Sequence, residues 1–486
     1  MPKSSKVNNN TEMEEQEKKY NEKSTEEKYQ KMTQLEHILT IPDTYIGSVE
    51  LTEEQRYILK NGKMELENIK YVPGLYKIYD EIIVNARDHR VRDSTLNLIK
   101  VNIDKETGVI SIYNNGTGID VVVHKEYDVY IPELIFGHLL TSTNYDQDEK
   151  KTTGGKNGYG AKLANIYSKE FIIETVDSKN KLKYIQKFSN NMRDKDEPII
   201  KKSKEMSYTK ITFLPDYKRF GIDGITDDIF KIFEKRIYDL SVCTPNNVSV
   251  YFNEKLISEK SLESYAKLYT KNRPQKLTSV PVPSPKKKNT DENEGNNDNN
   301  PDNNPDDNDE RSSEEDEEQE EEKFEEQIII YEKFNERWEV AITLCPSDGH
   351  YQQISFVNGI CTFKGGKHVE YIVNQVTKKL ADFIAKKNKK KQIKHSYIKD
   401  NLWVFVNCVI ENPSFDSQTK EYLNTVSSKF GSKCEITDKY IDKLSKIGII
   451  ERTVSLIDFK ENRDLKKTDG KKKMSIRGIA KLDDAN

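Results

Sequence analysis

At 486 residues the chain has room for about three domains of ordinary size or two larger ones. With 33% charged and 34% hydrophobic residues, part of it must fall outside any core. The formal charge of −4 hides an asymmetry, because residues 291–326 hold 19 Asp and Glu against Arg311 and Lys323, leaving a net basic remainder that suits a polyanionic partner. Five scattered cysteines without a CxxC pair exclude a disulfide framework or zinc site and indicate a reducing compartment. With no apolar signal segment and no run of about 18 apolar residues, a soluble intracellular protein is expected.

Residues 1–28 read as a mobile polar tail. Beyond it Leu35, Ile38 and Leu39 make a short amphipathic turn that Pro42-Asp43 stops. The stretch LYKIYDEIIVNARDHR, residues 75–90, predicts a helix, since Leu75, Ile78, Tyr79, Ile82, Ile83 and Ala86 recur at one-face spacing. Glu81 and Asn85 stand one turn apart on another face, with His89 a turn further on. A carboxylate there can accept a proton from water, and a carboxamide oxygen can ligate a hard cation such as Mg²⁺. Taken alone, the pair better describes the exposed polar face of an ordinary packing helix, because such i, i+4 pairs are common.

Strands are predicted over 99–103 and 109–113, then the loop NNGTGI (114–119), a helix over 132–140 and a polar loop over 141–151. The segment TTGGKNGYGAKLANIYS, residues 152–168, sets four glycines ahead of a helix. It lacks the Lys-Ser/Thr of a Walker A loop and the glycine spacing of kinase or Rossmann fingerprints. Converging backbone N–H groups, a helix start, Lys156 and Lys162 can nevertheless hold phosphates. Strands follow over 171–175, 183–188 and 208–214, a helix over 229–240 and a strand over 248–252. Residues 273–327 read as a disordered insertion. Strand patterns return in IIIYEKF, RWEVAITLC and QQISFVNGICTF, before a helix over 367–387 and a lysine-dense segment, 385–399. The continuous apolar run 402–410 predicts a buried strand and empties into ENPSFDSQTKE, residues 411–421. The remainder reads as helical to about 460, then basic, and an end at KLDDAN without terminating structure suggests a truncated chain.

The order of an E-x-x-x-N helix, a strand ending in N-x-G-x-G (Asn114, Gly116, Gly118) and a glycine-rich lid entering a helix resembles the GHKL ATPases. These include type II DNA topoisomerases, gyrase, ninety-kilodalton heat-shock chaperones, MutL-type mismatch proteins and sensor histidine kinases. TQLEHIL, PDTYIGSVE, YVPGLYKIYDEI, TSTNYD, TGGKNGYGAKL, QQISFVNGI and IENPSFDSQTKE, collinear along most of the chain, are similar to eukaryotic DNA topoisomerase II. The resemblance implies an α+β fold. A GHKL (Bergerat) two-layer α/β sandwich with a mixed sheet, including an N-terminal strap, would occupy 29–272, and an α/β transducer domain 328–465. A basic tail, 466–486, would lead to a missing cleavage region.

It also implies ATP and Mg²⁺ as cofactors. Glu81 would polarise the attacking water, Asn85 would bind Mg²⁺, and Asn114, with Thr209 as a further candidate, would face adenine. Ser142, Thr143 and Asn144 would hold ribose and phosphates, and Gly155, Lys156, Asn157, Gly158, Tyr159, Gly160, Ala161 and Lys162 would form the lid. Gln418 and Lys420, from the transducer, would reach the γ-phosphate, where a lysine stabilises developing charge. Tyr29, in the strap, would reach the nucleotide of the partner subunit and couple binding to homodimerisation. Double-stranded DNA is the implied partner and the nucleus the implied location. Lys386, Lys387, Lys389, Lys390 and Lys391 either contact DNA phosphates without sequence preference or stay solvated.

Four positions depart from the family pattern. NARDH stands where the family usually reads NAADN, which places Arg87 and His89 there. His89 can still donate to a phosphate but titrates near neutral pH. Asn114 replaces the commoner Asp of the superfamily and keeps an oxygen that accepts from the adenine amino group. Thr143 replaces a common serine and keeps the hydroxyl. The expected function is an ATP-hydrolysing gate that captures a DNA segment. Its rivals are a chaperone- or mismatch-type clamp and a DNA clamp that binds nucleotide only to dimerise.

Overall fold

The computed structural model describes residues 31–141, 150–155, 158–271, 327–346, 350–387 and 393–457. The predicted tail, most of the acidic insertion and Lys389, Lys390 and Lys391 lie outside them. The chain begins with α1 (Gln34–Thr40), where Thr33 and Glu36 form a reciprocal capping box. A hairpin that the periodicity does not announce follows, β1 (Thr52–Lys60) and β2 (Lys63–Tyr71). Its turn signal is Asn61-Gly62, with both residues at positive φ, 51° and 72°. The long helix α2 (Pro73–Arg92) starts on a proline, whose missing N–H costs nothing at a first helical position.

Next come β3 (Leu98–Ile103), β4 (Ile110–Asn115), α3 (Ile131–Gly137), α4 (Gly160–Ile166), β5 (Ser168–Asp177), β6 (Leu182–Ser189), β7 (Asp194–Lys195), β8 (Ile199–Lys202) and β9 (Tyr208–Pro215). The first unit closes with α5 (Asp227–Val242), β10 (Ser249–Phe252), β11 (Lys255–Leu256) and α6 (Leu262–Thr270), of which α6 was not expected. Their strands form a nine-stranded sheet in the order β11-β10-β3-β4-β9-β5-β6-β7, with β8 on β6. The β10–β3 pair is parallel and its neighbours are antiparallel, so the sheet is mixed. Along β4 burial alternates, and Ile110, Ile112 and Asn114 share the buried phase. A polar side chain thus ends an apolar row facing the helical layer.

The second unit comprises β12 (Ile330–Asn335), β13 (Trp338–Leu344), β14 (Gln352–Val357), β15 (Ile360–Cys361), β16 (Gly365–Gly366), α7 (Lys367–Lys387), α8 (His395–Lys399), β17 (Leu402–Cys408), β18 (Tyr422–Leu423) and α9 (Asp438–Leu444). Its five-stranded sheet runs β12-β13-β17-β14-β15. Residues 445–448 interrupt the expected C-terminal helix, which resumes over 449–457. Leu402, Val404 and Val406 pack with α7, while Trp403 and Phe405 join the core of the first unit. Burial on both faces explains the continuous apolar run of β17. Across this junction Trp403 meets the rings of Tyr57 and Tyr269, and the Tyr57 hydroxyl donates to Gln352 Oε1 at 2.6 Å.

Candidate active site

Thirteen residues of α2 are buried, including Lys77, Asp80, Glu81, Arg87 and Asp88. The polar face of the helix is therefore enclosed rather than solvated, and each charge on it needs a partner. The Glu81 carboxylate lies 2.5 Å from Lys77 Nζ one turn back and 3.2 Å from Lys420 Nζ, which arrives from the far end of the chain. Burial pushes the Glu81 carboxyl up, but the Lys420 and Lys77 ammoniums outweigh it and hold it at about 2. Burial in turn pulls the Lys77 ammonium below its ordinary value in spite of Glu81. Lys77 was not expected in the site; its signal was the i, i+4 spacing to Glu81.

Lys420 has a positive φ of 63°, a region that long side chains rarely occupy. Its N–H donates to Ser417 O at 3.2 Å, and pairing of β18 with β16 anchors the chain just beyond. The ammonium also donates to Gly154 O at 3.4 Å, so the QTK loop touches both α2 and the glycine-rich segment.

The lid base is pinned from below by Asp88, whose two carboxylate oxygens accept from Gly154 N at 2.9 Å and Gly155 N at 2.8 Å. Burial raises the Asp88 carboxyl, and Arg87 with the two lid amides offsets this only in part. Arg87 donates to Thr152 O at 3.3 Å, and its alkyl stem lies against Gly359 of the second unit. Asn358 reaches the lid from there, donating to Thr153 O at 3.3 Å. Gly160, the first residue of α4, faces Glu81 so closely that a Cβ would overlap Oε2. Only glycine lets the lid helix approach that carboxylate.

Asn85 is half-buried, with its Oδ1 facing Gly155. Lys162 is buried without a carboxylate partner among the described residues. Its ammonium donates to Thr141 O at 2.5 Å, and burial lowers it to about 8. Ala161 packs into the core, while the Tyr159 hydroxyl accepts from Gln34 beside α1. Gly158 turns the lid at a φ of 69°.

Two turns beyond Glu81, the His89 ring meets the end of β4. Asn114 Nδ2 donates to His89 Nδ1 at 2.8 Å, and Thr209 on β9 stands directly opposite Asn114 in the ladder. The ring is thus engaged on the strand side, away from Glu81. Past Asn114 the chain turns at Gly118, where φ is 72° and a Cβ would collide with the Val176 carbonyl.

The structure therefore gathers Glu81, Lys420 and Gly160 at the middle of α2, Gly155 beside Asn85 and Asp88, and His89, Asn114 and Thr209 toward its C-terminal end. Gln418 lies in the loop with Lys420. Lys386 is exposed near the end of α7, and nothing is described of the Lys387 side chain. Tyr29, Ser142, Thr143, Asn144, Lys156 and Asn157 lie outside the described residues. Asp88 is the other residue not anticipated, although it sits inside the NARDH string.

A mixed sheet backed by α2 and α4, with a glycine-rich lid over a buried carboxylate, defines the class of the GHKL ATPases. Residues 71–217 match the family model of histidine kinase-, DNA gyrase B- and HSP90-like ATPases, and residues 306–472 match that of DNA gyrase B. The crystal structure of the ATPase region of Saccharomyces cerevisiae topoisomerase II is 42% identical, with a TM-score of 0.75, and the match covers 90% of this chain and 100% of that one. The ATPase and transducer domains of Balamuthia mandrillaris DNA topoisomerase II are 37% identical over the same shares, with a TM-score of 0.76. The DNA topoisomerase 2 of Pisum sativum is 45% identical over 465 residues, which are 96% of this chain and 28% of that protein. The chain belongs to the DNA topoisomerase II family, as its N-terminal ATPase and transducer region. It spans little more than a quarter of such full-length relatives.

Proposed function

We propose that this chain is the ATP-operated gate of a type II DNA topoisomerase. It binds ATP with Mg²⁺, closes as a homodimer around a DNA duplex, and reopens on hydrolysis to drive strand passage in the longer enzyme. A nuclear location goes with that substrate. The observation that carries the reading is the meeting of Glu81 and Lys420 at 3.2 Å, across 339 residues of sequence. A carboxylate able to hold water and a lysine able to hold a phosphoryl oxygen then share one buried point, one from each domain.

Glu81 and His89, eight residues apart on one helix, are separated by about 12 Å of rise. In this reading the carboxylate lies at the γ-phosphate end of a bound nucleotide and Asn114 at the base end. At a carboxyl pKa of about 2, Glu81 is a weak base while it holds both ammoniums. When Lys420 moves onto a phosphoryl oxygen, Glu81 loses one of these two charges and its basicity rises. Glu81 then accepts the proton of the attacking water, while Lys420 stabilises charge on the phosphoryl group. Backbone N–H groups further along the lid, whose base Asp88 braces through Gly154 and Gly155, would hold the phosphates.

Among the described residues no group of His, Cys, Asp and Glu is built to hold a metal alone. A lone carboxamide oxygen on Asn85 fits a cation that keeps water and phosphate oxygens as its other ligands, as Mg²⁺ does. When bound, Mg²⁺ supplies charge neutralisation on the phosphates. The basic end of α7, from Lys386 onward, would contact DNA phosphates in a salt-sensitive way.

Steady-state ATPase of Glu81→Ala tests the assignment. Turnover is expected to fall by about 10²–10⁴, and near-normal turnover would remove Glu81 from the mechanism.

A further inference from the structure

Asn114 is a buried carboxamide at the point where the ATP reading places the purine ring, and an amide there poses a problem that a carboxylate does not. The two oxygens of a carboxylate are alike, so half a turn about the last side-chain bond changes nothing. The same turn of an amide exchanges an acceptor for a donor. Facing the 6-position of a purine, the oxygen selects a 6-amino group and the NH₂ selects a 6-oxo group. Something must hold the amide one way round.

The surroundings of Asn114 supply two locks. Its Nδ2 donates to the Asn115 carbonyl oxygen at 3.0 Å and to His89 Nδ1 at 2.8 Å. A carbonyl oxygen can only accept, so the NH₂ must lie on that side, and His89 Nδ1 must then be the acceptor. The ring proton accordingly sits on Nε2, which faces Thr117 Oγ1 at 3.4 Å and the Asp93 carboxylate at 3.8 Å. Burial, reinforced by Arg92 and only partly offset by Asp93, lowers the imidazole pKa and keeps the ring neutral. Both N–H bonds of the amide are used, and Oδ1 has no protein partner among the described residues. The oxygen is what remains to meet a ligand.

We propose that His89 is a positioning residue for base specificity. By accepting from Asn114, it turns the amide oxygen toward the bound purine, so that the pocket takes a 6-aminopurine and rejects a 6-oxopurine. The inference rests on the ATP reading above and deepens it.

The test is equilibrium binding of ATP and of inosine triphosphate, which differ only at the 6-position, to the purified chain with Mg²⁺. The wild-type chain is expected to prefer ATP by at least about tenfold, because the wrong base leaves buried polar groups unpaired. His89→Leu should cut that preference at least about threefold, with the Asn115 carbonyl left as the single remaining lock. Adding Asn114→Asp to that variant should restore the preference, since a carboxylate has no orientation to lose. A loss of affinity that leaves the ATP-to-inosine ratio at its wild-type value would make His89 merely structural and overturn the proposal. Nitrogen NMR of the wild-type imidazole needs no variant: an unprotonated Nδ1 supports the lock, and a protonated Nδ1 overturns it. If the wild-type chain binds neither triphosphate, the ATP reading fails and takes the inference with it. If wild type discriminates and His89→Leu discriminates equally, only the inference fails.

Discussion

At the scale of single residues, the site is governed by how many charges share one buried carboxylate. Glu81 has a folded pKa of about 2 against an ordinary 4.5. A depressed carboxyl of this kind stabilises the fold fully above pH 4.5, and that share is lost as pH falls toward 2, on the order of 3 kcal/mol. Lys77→Met removes one of the two ammoniums, so the carboxyl climbs toward its ordinary value and the acid-sensitive share shrinks. Urea unfolding followed from about pH 6 to about pH 3 should show a shallower acid loss in Lys77→Met than in wild type. An unchanged acid slope would mean that Lys420 alone sets the Glu81 charge. The proposed catalysis needs the opposite condition, a freer carboxylate, which Lys420, on a loop of the second unit, would provide by moving away.

At the scale of elements, α2 is the axle. Its apolar side packs on the sheet, and its polar side carries the lid, the QTK loop and the end of β4. The lid touches α2 mainly through backbone groups, which is why its glycines matter more than its side chains there. Asp88→Ala deletes both acceptors for Gly154 and Gly155 N–H, a loss of about 1–3 kcal/mol from the lid base. Amide hydrogen exchange at these two glycines should speed up while the core of β4 and β9 keeps its protection. Equal acceleration in the sheet would show that Asp88 supports the whole domain instead of the lid.

At the scale of the molecule, the two domains are joined by a continuous apolar surface and by the VNGI hairpin. Arg236 makes a buried pair with Asp80 and donates to Gly359 O at 2.9 Å, while Arg87 packs on the same glycine. The turn at Gly359 is therefore fixed to α2 and α5 of the first unit by buried side chains. Closure would involve a second copy of the chain, with α1 and its Gln34–Tyr159 contact placed where a strap would leave the lid. Sedimentation of the chain with Mg²⁺ and a non-hydrolysable ATP analogue should show a dimer. A monomer with the analogue bound would overturn strap exchange.

Periodicity alone located α2, most of the longer strands of the two large sheets and α7, because burial of one face or of two leaves a repeat that local order preserves. It missed the β1–β2 hairpin, whose charged residues break the alternation, and α6. The ordered motifs, through the family they resemble, named Glu81, Asn85, Asn114 and the QTK loop as one candidate site. Only the tertiary structure decided what those residues touch. Lys77 and Lys420 share Glu81, Asp88 holds the lid, and His89 turns from the phosphate end to Asn114. Each of these contacts joins segments brought together by packing, and the energy of a buried charge or amide depends on those neighbours.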